Sequence, residues 1–130
     1  MSTDTTASVS THVLDTSIGR PAEAVTVSLA ARSGGDERYV TLGAAPTDKD
    51  GRCQALPALP EGTTHVRLVF DTESYFTVKK QAEAQQDAPR VRDSGAFFPE
   101  VAIAFAVIPG EHYHVPLLLN PFGYSVYRGS

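Results

Sequence analysis

Apolar and small or polar residues alternate along most of this chain, and a period of two is the mark of a strand, whose successive side chains leave on opposite faces. The clearest case runs from Glu100 to Ile108: Val101, Ile103, Phe105 and Val107 share one face, while Ala102, Ala104 and Ala106 share the other. Similar alternation marks Val9 to Asp15, Val25 to Leu29, Arg38 to Leu42 and His65 to Asp71, where Val66, Leu68 and Phe70 fall together. Turn signals separate these runs at Gly19-Arg20-Pro21, Ser33-Gly34-Gly35-Asp36 and Asp48-Lys49-Asp50-Gly51. Shorter strands are expected at Arg52 to Ala55, Glu111 to Leu119 and Tyr124 to Tyr127, the last after Asn120-Pro121-Phe122-Gly123. One segment breaks the pattern. Glu73 to Gln86 is rich in Lys, Gln, Ala and Glu and lacks Gly and Pro, which predicts a helix with Ser74 or Thr72 as its cap. The polar stretch from Ala88 to Gly95 reads as a loop. About eight short strands and one helix at this spacing predict an antiparallel sandwich of two sheets.

Composition narrows the function. The chain has 130 residues, enough for one domain, with 42% hydrophobic and 20% charged residues. Its net charge of -4 argues against a nucleic-acid binder, which needs a basic face. One cysteine, Cys53, excludes an internal disulfide framework, and no Cys/His cluster suits structural zinc. No apolar run approaches the ~20 residues that span a bilayer. Residues 1–8 are small and polar without a basic start, so they read as a disordered tail rather than a secretory signal, ahead of a domain over residues 9–130. With no targeting address visible, the expected location is the cytoplasm, where a lone thiol stays reduced.

The strand from His112 to Leu119 is unusual. One face carries Tyr113, Val115, Leu117 and Leu119, an ordinary core set; the other carries His112, His114, Pro116 and Leu118. A monomeric sandwich turns a polar second face to water. A half-apolar face points to a second chain covering it. Pro116 argues the other way for full pairing, because proline has no N–H to donate.

Four histidines are present. His12 lies on a strand beside Leu14, and by pattern alone it is an ordinary polar strand residue. His65 opens a strand and is expected in solvent. His112 and His114 put both rings on one side, which suits a metal pair or an acid/base site. A metal needs a third ligand, and no Asp, Glu or Cys has the spacing to supply one. Arg52 after a turn glycine, and Arg128 near the end, are by themselves solvated arginines. No nucleophile elbow, phosphate loop or dinucleotide glycine pattern occurs.

Three blocks together carry a resemblance. They are His12-Val13-Leu14-Asp15 with Gly19-Arg20-Pro21-Ala22; Thr47-Asp48-Lys49-Asp50-Gly51-Arg52-Cys53; and the run from Phe97-Phe98-Pro99-Glu100 onward, including His112-Tyr113-His114-Val115-Pro116-Leu117-Leu118-Leu119, Pro121 and Tyr127-Arg128-Gly129-Ser130. From about residue 9 onward the chain resembles the 5-hydroxyisourate hydrolases, the enzyme branch of the transthyretin family.

The resemblance implies a transthyretin-like sandwich of two four-stranded sheets with one short helix. It further implies a homotetramer, a dimer of dimers, with active sites at the ends of a channel between the dimers. The catalytic residues it implies are His12, Arg52, His114 and Ser130. Substrate binding falls to His12 and Arg52 with Tyr127, Arg128, Gly129 and Ser130, and no metal or organic cofactor is implied. The reaction is hydrolysis of the N1–C6 bond of 5-hydroxyisourate to 2-oxo-4-hydroxy-4-carboxy-5-ureidoimidazoline in urate degradation. Either histidine suits the base, and Ser130 suits either substrate binding or proton relay. His112 is not carried over. The rival reading is the hormone-carrier branch, which has lysine, glutamate and threonine where this chain has His12, Arg52 and His114, and which continues past the final strand without Tyr-Arg-Gly-Ser. A passive contact module would leave the conjunction of His, Arg, His and Ser unexplained.

Overall fold

The computed structural model describes residues 6–36, 38–83 and 95–129. Among them are nine strands and one helix: β1 (Ser8–Asp15), β2 (Arg20–Pro21), β3 (Thr26–Ser33), β4 (Val40–Pro46), β5 (Arg52–Cys53), β6 (Thr63–Asp71), α1 (Thr72–Glu83), β7 (Glu100–Ala106), β8 (His112–Asn120) and β9 (Gly123–Val126). The chain is mostly β, in two sheets with one short helix, as the alternation predicts.

One sheet has the order β4-β3-β6-β7, all antiparallel. The other has the order β2-β1-β8-β9, with β5 also paired to β1. Two details depart from an antiparallel sandwich of four-stranded sheets. The second sheet counts five strands because β2 and β5 are two-residue pieces on β1, and Arg20–Pro21, read as a turn, pairs back onto Asp15 and Leu14. And β1 pairs β8 in parallel, from Ser8↔His112 to Asp15↔Leu119, because the chain between them builds the opposite sheet before returning.

The core is the set of inward faces. Val13 of β1, Val27 and Leu29 of β3, Val66, Leu68 and Phe70 of β6, Val101 of β7, and Tyr113, Val115, Leu117 and Leu119 of β8 are all buried. Burying a side chain of this size contributes on the order of 2 kcal/mol, so this two-sided set dominates the fold's stability.

Pro116 is buried in the middle of β8. The His114 carbonyl accepts from Gly129 N–H, on the β9 side, while the Leu119 carbonyl accepts from Thr16 N–H, on the β1 side. Backbone direction alternates along a strand, so Pro116 nitrogen also faces the β9 side. There β9 pairing stops at Leu117↔Val126 and resumes only as the His114↔Gly129 bridge. Proline thus sits where no ladder bond is lost.

The helix cap differs from expectation. Asp71, not Ser74 or Thr72, caps α1: its carboxylate accepts from Ser74 N–H at 3.0 Å and Ser74 Oγ–H at 2.7 Å. Thr72 hydroxyl instead donates to the Phe98 carbonyl. The helix docks through buried Asp15, which accepts from Tyr75 hydroxyl at 2.7 Å and pairs with Lys79 at 3.3 Å. Burial pushes the Asp15 carboxyl up, but the bonds from Ser17 and Tyr75 and the Lys79 charge outweigh it and hold the group below its usual value. The expected extension of the helix to Gln86 and most of the following loop fall outside the described residues. Of the expected tail, residues 1–5 also fall outside, but residues 6–8 are not loose. Ala7 is buried, Thr6 carbonyl accepts from Gly110 N–H, and Ser8 begins β1 by donating to Glu111 carbonyl. Among the described residues no helix is long and apolar enough to cross a membrane.

Candidate functional site

The outer face of the five-stranded sheet carries three of the four histidines, His12, His112 and His114. In β1 the alternation that buries Thr11, Val13 and Asp15 turns Ser8, Ser10, His12 and Leu14 outward. In β8 it turns His112, His114, Pro116 and Leu118 the same way, and the parallel register sets Ser10 beside His114 and His12 beside Pro116.

Arg52 reaches this face through a tight turn. The Asp48 carboxylate accepts from Asp50 N–H at 2.9 Å and Arg52 N–H at 3.0 Å, while Gly51 N–H donates to the Asp48 carbonyl. Gly51 has φ of +79°, in the left-handed region that glycine adopts without steric cost, and its carbonyl accepts from Val13 N–H at 2.7 Å. The turn is thereby tied to β1 and sets Arg52 directly opposite His12. The Arg52 guanidinium is exposed and makes no hydrogen bond or ion pair among the described residues, so it is available to an anion or carbonyl oxygen.

The same turn orients His12. Its Nε2 lies 2.8 Å from the Asp50 carbonyl oxygen. A carbonyl only accepts, so neutral His12 carries its proton on Nε2 and leaves the Nδ1 lone pair free. His114 is held from its other nitrogen, with Nδ1 2.9 Å from Ser10 Oγ, and its Nε2 has no partner among the described residues. Burial, and then the charges of Arg52, His12 and His112, lower the His114 pKa from the ordinary imidazole value. The lowering favours the neutral imidazole, the state a base requires.

Each of these histidines has a glycine packed on its ring edge. A Cβ on Gly51 would come 3.2 Å from His12 Cδ2, and one on Gly129 would come 2.9 Å from His114 Cδ2. Gly129 N–H also donates to the His114 carbonyl at 2.7 Å, which brings the C-terminal segment across the site.

The structure thus brings together His12, Arg52, His114 and Gly129. It does not bring the Arg128 side chain with them: that guanidinium lies 4.4 Å from the Tyr113 ring centroid, on the core face of β8, and 3.5 Å from Glu111 Oε1. Tyr127 and Arg128 line a cavity of about 270 Å³ with Ile103, Phe105, Tyr113 and Val115. Ser130 lies outside the described residues. His65, expected in solvent, is half-buried with Nδ1 2.7 Å from Thr64 Oγ1. Among the described residues no three His, Cys, Asp or Glu side chains are grouped to hold a metal. Sequence reasoning missed Ser10, Asp48 and the Asp50 carbonyl. Ser10 shares the period of His12, but its partner is visible only once β1 and β8 are in register.

The chain is similar to known proteins over most of its length. The profile of the HIUase/Transthyretin family matches residues 9–129. The 5-hydroxyisourate hydrolase of Salmonella dublin is 39% identical over 124 residues, covering 94% of this chain and 80% of that protein. The solved 5-hydroxyisourate hydrolase of Klebsiella pneumoniae is 35% identical with a TM-score of 0.64, covering 95% of this chain and 94% of the other. Sea bream transthyretin in complex with thyroxine is 25% identical with a TM-score of 0.74, covering 93% of each chain.

Proposed function

The chain belongs to the HIUase/transthyretin family, and from that membership and the geometry of the histidine face we propose that it hydrolyses 5-hydroxyisourate in urate degradation. The observation that carries this reading is the constellation of two oriented imidazoles and one unpartnered guanidinium on a single face. Water attacks the C6 carbonyl. A free ring nitrogen, His12 Nδ1 or His114 Nε2, takes one of its protons. Arg52 binds the urate-like oxygens and stabilises the oxyanion at C6, an interaction whose loss commonly costs on the order of 100-fold in rate. The N1–C6 bond then breaks, N1 receives a proton, and the product is a carboxylate bearing a ureido group, 2-oxo-4-hydroxy-4-carboxy-5-ureidoimidazoline.

Ser130, which lies outside the described residues, keeps its proposed part in substrate binding or proton relay from the resemblance alone. Arg128 serves the substrate indirectly, by anchoring the segment that carries Gly129 to Tyr113 and Glu111, and exposed Tyr127 keeps its proposed part in substrate binding from the resemblance. Beyond the histidines, Leu14 and Leu118 extend the face as an apolar strip. A homotetramer, a dimer of dimers enclosing this face as a channel, accounts for that strip, and the cytoplasm is its expected location.

The test is spectrophotometric: freshly generated 5-hydroxyisourate is followed with and without the protein, against its spontaneous decay. Acceleration that saturates with substrate is expected; decay at the spontaneous rate overturns the reading. A carrier of the transthyretin type would give that second result.

A further inference from the structure

The parallel register of β1 and β8 builds a hydrogen-bonded chain that the proposed reaction does not by itself require. Ser8 Oγ lies 2.6 Å from His112 Nδ1, His112 Nε2 lies 2.9 Å from Ser10 Oγ, and Ser10 Oγ lies 2.9 Å from His114 Nδ1. Both ring nitrogens of His112 are engaged. The chain begins at half-buried His114 and ends at exposed His112 and Ser8.

Each serine has one proton, so the neutral chain has two consistent orders. In the first, His114 Nδ1–H donates to Ser10, Ser10 O–H donates to His112 Nε2, and His112 Nδ1–H donates to Ser8. His114 Nε2 then keeps its lone pair. In the second every bond is reversed and Nε2 carries the proton. A proton taken up at Nε2 converts the first order to the second when the Nδ1 proton moves to Ser10, the Ser10 proton moves to His112 Nε2, the His112 Nδ1 proton moves to Ser8, and the original Ser8 proton leaves to water. No charge remains on His114.

The reaction supplies such a proton. Hydrolysis at C6 consumes one water; one hydrogen ends on N1, which becomes a ureido nitrogen too weakly basic to hold a further proton. The new carboxyl has a pKa far below neutrality, near the ~3.5 of an α-carboxyl, so its proton is surplus. His114 is a poor place to store it. Arg52 from β5, His12 from β1 and His112 on its own strand all oppose a positive charge there. Glu111, the residue before His112, is engaged with Tyr113 hydroxyl and Arg128.

We propose that Ser10 and His112 form a proton path that drains His114 to solvent through Ser8, with Ser10 also fixing the His114 ring through Nδ1 so that Nε2 is left for substrate. This rests on the hydrolase reading with His114 as a base. Ser10 and His112 act through His114 and are positioning and relay residues rather than catalytic ones.

The test uses the full chain, with Ser10→Ala and His112→Gln, neither of which removes a core side chain. In dilute buffer both variants are expected to lose about 10- to 100-fold in kcat with little change in KM, and added imidazole, a mobile proton carrier, restores most of the loss. Wild-type kcat should not respond to imidazole. Variants with wild-type kcat in dilute buffer, or a loss that imidazole does not relieve, overturn the path. A second measurement needs no substrate: nitrogen NMR of the imidazoles is expected to show His114 Nδ1 as hydrogen-bonded, with that signal shifting in Ser10→Ala as the bond is lost. An unchanged Nδ1 signal in that variant overturns the positioning role. Failure of the hydrolase reading shows differently, as a wild-type protein without activity.

Discussion

His114 and Arg52 do their proposed work from positions where neither fills the core, so removing them tests chemistry separately from folding. His114→Ala and Arg52→Ala should each lower kcat/KM by about 100-fold or more, the scale of a lost base or oxyanion donor. Circular dichroism and gel filtration should match the wild type, because no packed cavity opens. The pH dependence follows from the lowered pKa of His114. The base works neutral, so activity is full above that pKa and falls as pH drops through it; since the shift is downward, the fall lies below the ~6.5 of an ordinary imidazole. A kcat/KM profile flat from pH ~8 to ~5 would remove histidine as the base. At this scale His12, Arg52 and His114 were legible only through the resemblance of three separated blocks. By residue type alone each is an ordinary polar strand or turn residue. His112 remained unexplained because its partners Ser8 and Ser10 lie over a hundred positions away, and register between distant strands is not written in a local pattern.

The elements were more legible, and their misses have local causes. Period-two runs locate the strands because sandwich faces are half-buried, but periodicity carries no direction, so nothing marked β1–β8 as parallel. The alternation ends β6 at Asp71, and the same residue's carboxylate caps the helix that starts one residue later, a second role the period-two pattern does not show. Asp71→Ala should therefore cost about 1 kcal/mol, read as a lower Tm with catalysis unchanged, since a cap is lost and the site lies on the other sheet. The β4–β5 turn couples element to site. A Cβ on Gly51 would lie 2.3 Å from the Val13 carbonyl oxygen and would force a side chain into the left-handed region. Gly51→Ala should lower stability by more than the ~1 kcal/mol of a simple left-handed penalty, because backbone must also move. It should cut kcat/KM as well, since the turn holds His12 through the Asp50 carbonyl and sets Arg52 opposite it. A variant with reduced Tm and unaltered kinetics would show that the turn is structural only.

For the whole molecule, the informative surface is the outer face of the five-stranded sheet beyond the histidines. Leu118 stands there beside Leu14 across the parallel pair and opposite Ser125 of β9. It is half-buried within a single chain, on a face that water would otherwise favour as polar. The core on the other side of β8 is complete without it, since Leu117 and Leu119 point inward. Changing Leu118 therefore tests assembly more than folding. Leu118→Glu would place a carboxylate on each copy of the apolar strip. In a dimer of dimers that closes over this face, those charges would be brought together and desolvated, at a cost of several kcal/mol per buried unpaired ion. The single chain can turn the same carboxylate to water. Analytical ultracentrifugation should find the wild type as a tetramer and Leu118→Glu as a smaller species with the same circular dichroism. Activity should fall with the assembly even though His12, Arg52 and His114 are untouched, because the proposed channel that would hold the substrate over them is opened. If the variant sediments as the wild type does, the strip is not the surface between dimers, and the apolar half of β8's outer face needs another occupant.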